Sequence, residues 1–170
     1  LKTLEEPSND NYFILINNQQ ADLLETISSR CLKTNITMNK EAKYKVINHL
    51  IKFHSIDPVI DWKNTDISPG LFLNFNQLCN DHSINLNDNI TIILSKLFNL
   101  YKKEKNKIII RFIIYLVDNF FLKLIENNNK KMDKILKIKS LVVSNIYDFA
   151  HFNLNINSTI NSINIKLQNV

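Results

Sequence analysis

The chain has 170 residues, 45% of them apolar, a net charge of +5 and one glycine, Gly70. That length suits a single domain with a genuine core. The lack of glycine argues against phosphate-cradling loops, dinucleotide fingerprints and nucleophile elbows, which need it where backbone turns sharply or approaches a ligand.

Composition therefore points away from an enzyme and towards a helical binding domain. The 27 asparagines and 26 isoleucines, with plentiful lysine, read as the product of AT-rich coding rather than a prion-like tract, because the asparagines are scattered except at Asn127, Asn128 and Asn129. Cys31 and Cys79 are lone thiols, which favours a reducing, intracellular setting, cytoplasmic or nuclear, over a disulfide framework. The first ten residues carry Glu5, Glu6 and Asp10 instead of the basic and apolar regions of an export signal. A start at Leu1 reads as that of a fragment or processed product.

In chain order, residues 1–18 form an N-terminal tail or short edge segment around the apolar burst Phe13-Ile14-Leu15-Ile16. A single helical domain is expected over 19–152. Its first helix spans 19–32, with Ala21, Leu23, Leu24, Ile27 and Cys31 at three- and four-residue steps. A second follows an Asn39 cap, carries Ala42, Val46, Ile47, Leu50 and Phe53, and ends near His54. Residues 55–68, with Pro58 and four turn-forming polar residues, make an ordered loop that Trp62 pins to the core.

Ser68-Pro69 then predicts an N-cap with proline at the first helical position, opening a helix that runs to about Asp81. Asn87 or Asp88 caps the next, whose Ile90, Ile93, Leu94, Leu97, Phe98 and Tyr101 follow helical spacing. The most apolar element covers 108–125. Arg111, Asp118 and Lys123 interrupt it, each costing roughly 2.5 to 3.5 kcal/mol at a bilayer centre, so it predicts a central core helix and no membrane span. After a turn at 127–129, Met132, Ile135, Leu136, Leu141, Val142, Ile146, Phe149 and Ala150 mark a last long helix. Residues 153–170 alternate polar and apolar and predict an extended or frayed tail.

The fold expected is all-α, an irregular bundle or short α-solenoid of about six helices, with short extended segments at the termini.

Little in this pattern specifies chemistry. Cys79 and His82 have CxxH spacing, but no second ligand pair follows, so no metal site and no cofactor are expected. Asp57, Asp61 and Asp66 sit together in the Trp62 loop, where a solvated capping role outweighs paired-carboxylate catalysis. Charge is uneven: residues 1–85 hold 8 Lys or Arg against 10 Asp or Glu, net −2, and residues 86–170 hold 13 against 6, net +7. The basic surface candidates are Lys102, Lys103, Lys105 and Lys107, then Lys130, Lys131, Lys134 and Lys137, with Arg111 and Lys139 at the ends of the blocks. With antiparallel helices the two blocks fall at opposite ends of the central helix, approximately 25 to 30 Å apart.

Arg111, Tyr115 and Asp118, at i, i+4 and i+7, share one side of that helix and are the candidate peptide-binding residues. Tyr115-Leu116-Val117-Asp118 resembles the helix motif of domains that bind the RNA polymerase C-terminal tail. The expected function is a non-catalytic helical protein-interaction domain that binds a partner protein or peptide within a larger assembly. The first alternative is a nucleic-acid-associated helical domain using the lysine-rich surfaces. The second is a viral helical bundle of the Bcl-2-like type, an analogy of size and helix count.

Overall fold

The computed structural model describes residues 11–17, 23–127 and 131–168, all helix and loop. The chain divides into two compact units, Leu1–Asn39 and Lys40–Val170. This boundary falls inside the 19–152 domain expected from sequence.

In the first unit the helix expected over 19–32 lies partly outside the described residues. What is described is one turn, α1 (Glu25–Ser28), in which no residue is buried. Residues 11–17 belong to neither helix nor strand.

The second unit holds α2 (Lys40–His54), α3 (Pro69–Asp81), α4 (Ile90–Glu104), α5 (Lys107–Asn127), α6 (Met132–Phe152) and α7 (Ile156–Gln168). Local chemistry explains most of the boundaries. The Ser68 hydroxyl accepts from the Leu71 N–H at 3.4 Å, and Pro69 takes the first helical position of α3. Asn89, not Asn87 or Asp88, caps α4, accepting from the Thr91 N–H at 3.0 Å. Lys105 ends that helix in the left-handed region at φ 53°, and the Asn106 side chain accepts from the Ile108 N–H at 2.9 Å to open α5. Two residues thus suffice to reverse the chain.

The C-terminal segment is a helix, which corrects the extended or frayed tail expected from alternation. Asn153 closes α6 in the left-handed conformation, and Asn155 accepts from the N–H groups of Asn157 and Ser158 at 2.9 and 3.3 Å. Ile156, Ile160, Ile163 and Leu167 then follow i, i+4, i+7, i+11 and pack on the core. Asparagines between the isoleucines imitated a period of two, while the asparagine pair supplied a helix stop and start.

Helices α4, α5, α6 and α7 pack in a closed ring, each against the next and α7 back against α4. That closure makes the architecture an irregular bundle, because in a solenoid each repeat meets only its neighbours. Helix α2 packs on α3, and α3 on α5. Phe72, Phe75, Phe98, Phe112, Phe121 and Phe149 are fully buried, each contributing about 1.5–3 kcal/mol of apolar transfer. Phe75 of α3 stacks on Phe112 of α5 with centroids 4.6 Å apart, and Phe98 of α4 meets Phe149 of α6 edge-on at 4.6 Å.

Among the described residues, no helix is long and apolar enough to cross a membrane.

Candidate interaction surface

Helix α5 carries the candidate stripe. Its buried face holds Ile109, Ile110, Phe112, Ile113, Val117 and Phe121; Arg111, Tyr115 and Asp118 follow one another a turn apart beside it, with Tyr115 half-buried and packed against the core. Arg111 is exposed. Tyr115 and Asp118 are both engaged within the unit. The Tyr115 hydroxyl lies 3.0 Å from Thr65 Oγ1, and its ring rests against Phe75 at 5.3 Å. Burial raises its phenol pKa, and hydrogen bonds from Thr65 and Asn119 oppose that shift. Tyr115 therefore ties the 55–68 loop to α5.

That loop has two further anchors. Trp62 is buried as expected, edge-on to Phe72 at 6.3 Å and to Tyr44 at 5.3 Å. The other, Asn76, carried no signal in the sequence because a helical asparagine between Phe75 and Gln77 looks like any other polar position. It is wholly buried: its side-chain oxygen accepts from the N–H groups of Val59 and Ile60 at 2.7 and 3.4 Å, and its amide donates to the Phe72 carbonyl at 2.7 Å.

Asp118 pairs with Lys139 of α6 at 2.8 Å. Both side chains are partly exposed, so the pair contributes little energy, but it marks which residues of the antiparallel hairpin stand side by side. Continuing the α5 stripe by one turn reaches Leu122. On α6, Met132, Leu136, Lys139, Val143 and Tyr147 form the matching row at i, i+4, i+7, i+11 and i+15. Leu122, Met132, Leu136 and Tyr147 are 51%, 47%, 41% and 55% exposed, and Val143 is half-buried. Met132 and Leu136 are among the apolar positions that mark this helix in the sequence. Of those positions the core takes Ile135, Val142, Ile146 and Phe149, which leaves the adjacent apolar row in water.

The lysines divide as the antiparallel arrangement requires. Helix α5, 21 residues long, sets the two blocks about 30 Å apart. Lys103, Lys105 and Lys107 are exposed at one end, and Lys131, Lys134 and Lys137 at the other. Lys130 lies outside the described residues. Several lysines are engaged within the unit: Lys105 donates to the Asn153 side chain at 2.8 Å, and Lys102 and Lys105 sit 5.9 and 5.4 Å from the ring centroids of Phe149 and Tyr101.

Cys79 and His82 sit in different surroundings. Cys79 is buried, and desolvation pushes its thiol up to about 11. His82 faces Glu104 at 3.4 Å. Among the described residues, no group of three or more His, Cys, Asp or Glu side chains could hold a metal ion. Two shallow, open depressions of about 280 and 230 Å³ adjoin His82, one floored by Lys96, Leu100 and Lys103, the other by Asn74, Gln77 and Glu104. Neither includes the α5–α6 rows.

Residues 1–40 match a family described as DNA polymerase III, delta subunit. The match takes 40 of 170 residues and ends one residue past the boundary between the two units. No curated protein and no solved structure matches the chain.

Proposed function

We propose that this chain is a non-catalytic helical subunit of a multi-protein assembly, and that it binds a partner protein along the outer face of the α5–α6 hairpin. The observation that carries this reading is the double row on that face. Leu122, Met132, Leu136 and Tyr147 keep much of their apolar surface in water, with the Asp118–Lys139 pair among them and Arg111 on the same stripe. Exposed apolar side chains interspersed with charged ones on a helical face fit the contact surface of another protein.

The N-terminal match supports the same reading, since the family's description names a subunit of a DNA polymerase. The non-catalytic part rests on the dispersal of reactive groups: the one buried thiol described has its pKa raised, and the depressions beside His82 are open.

The test is affinity capture from cell lysate with and without nuclease, comparing the wild-type chain with a Leu136→Asp, Tyr147→Ser variant of unchanged helicity. Partners retained after nuclease and lost with the variant are the expected result. Partners lost with nuclease and unaffected by the variant would replace this reading with nucleic-acid binding through the lysine blocks.

A further inference from the structure

Residues 12–16 read Tyr-Phe-Ile-Leu-Ile, five consecutive side chains of which four are aromatic or β-branched. They lie outside any helix, strand or turn. Tyr12, Ile14 and Ile16 are 93%, 89% and 87% exposed, and Phe13 and Leu15 about half exposed. No other run of the described residues leaves so much contiguous apolar surface in water.

Which surface would cover such a run follows from its pattern. Odd and even positions are both apolar, so a strand formed here would bury both faces, as interior strands of layered sheets do. Pairing with the same segment of a second copy would satisfy backbone groups but leave both faces of a two-stranded ribbon in water, a marginal structure. A partner's sheet with an open edge between two covering layers meets both needs, because it offers main-chain hydrogen bonds and apolar pockets on alternate sides. Glu5, Glu6 and Asp10 precede the run, against Lys2 alone, which suits an edge with basic residues at its rim.

We infer that residues 12–16 are a strand donated to the open sheet edge of a partner protein. This rests on the reading of the chain as an assembly subunit and specifies the chemistry of one of its contacts. It also explains how so exposed an apolar run escapes edge-to-edge aggregation in the assembled state.

The test uses the full chain carrying Phe13→p-benzoylphenylalanine, irradiated in cell lysate, with cross-linked peptides mapped on the captured protein. The expected result is cross-links to an edge strand of one partner, with the amides of residues 12–16 exchanging slowly in the purified complex and rapidly in the free chain. Ile14→Pro, which removes an N–H, lowers recovery by about tenfold or more, while Ile14→Val preserves it. Cross-links between two copies, cross-links to a helical surface, or recovery unchanged by Ile14→Pro would each overturn the inference. If Leu136→Asp, Tyr147→Ser abolishes capture and Ile14→Pro does not, the strand fails and the subunit reading stands. Capture of no protein by the wild-type chain overturns both.

Discussion

The side-chain oxygen of Asn76 accepts a hydrogen bond from the Val59 N–H at 2.7 Å, joining the buried face of α3 to a loop 17 positions earlier in the chain. Beside it, Ile60 donates to the same oxygen at 3.4 Å. One amide thus satisfies backbone donors that the loop cannot pair within itself, and the Phe72 carbonyl receives its own N–H group. Asn76→Leu keeps the branched outline of the side chain and removes every partner. We expect a loss of about 2 kcal/mol in urea unfolding, the penalty of buried unsatisfied groups. Asn76→Leu unfolding at the wild-type midpoint would show that the loop has other ways to hold its N–H groups.

Gly70 and Ser83 are in each other's natural places. Gly70 sits in the first turn of α3, and a Cβ there meets nothing within 4 Å. Ser83 adopts φ 51°, the left-handed region where glycine alone is free of steric cost. Gly70→Ala should stabilise by about 0.4–1 kcal/mol through the unfolded chain, and Ser83→Gly by up to about 1 kcal/mol through relief of strain. Thermal unfolding of both single variants and the double checks this, with additivity expected because the sites are separate. A destabilised Gly70→Ala would refute the assignment of open space at that position.

Acid should loosen the Trp62 loop before it melts the bundle. A side-chain hydrogen bond from Asn64 holds the Asp61 carboxyl below its ordinary value, and a hydrogen bond and ion pair with Lys43 hold Asp66 lower as well. A carboxylate with a depressed folded pKa contributes stability above the unfolded value, near 3.8, and loses it as pH falls through the folded one. Both groups are solvent-screened, so the effect is local and small. Trp62 is the single tryptophan. Its emission should shift to the red on acidification from about pH 5 to about pH 2, while far-UV helicity holds through the first part of that change. Coincident loss of both signals would mean that loop and bundle unfold as one.

The two thiols should react at very different rates. Cys79 is buried in α3 with its pKa raised to about 11, whereas Cys31 is half-buried. At about pH 8 an aromatic disulfide reagent should modify Cys31 promptly and Cys79 only on unfolding. Because the Cys79 pKa is raised in the folded chain, its contribution to stability is present below the unfolded value of 9.0 and lost as pH rises towards about 11. Rapid modification of both thiols at neutral pH in the native protein would contradict the burial of Cys79.

Sequence by itself determined the elements whose signals are local. Proline after serine at 68–69, the dense apolar positions of α5, and spaced isoleucines and leucines in α4 depend only on backbone chemistry and helical period, so the all-α class and most helix boundaries were legible. What tertiary structure alone decided concerns groups that meet across long separations. Asn76 looks like any helical asparagine until Val59 and Ile60 reach it. Tyr115 and Asp118 share a stripe with Arg111 by spacing, yet Thr65 and Lys139 claim their polar atoms. Met132 and Leu136 carry the same periodic signature as core residues. Only the packing of α5 and α7 on either side of α6 selects which apolar row is buried, because a helix with two apolar rows has no preference until its neighbours fix its rotation. The same reason hid α7: whether alternating asparagine and isoleucine become strand or helix depends on the apolar surface waiting for them, and here α4 and α6 offer a groove that a helix fills.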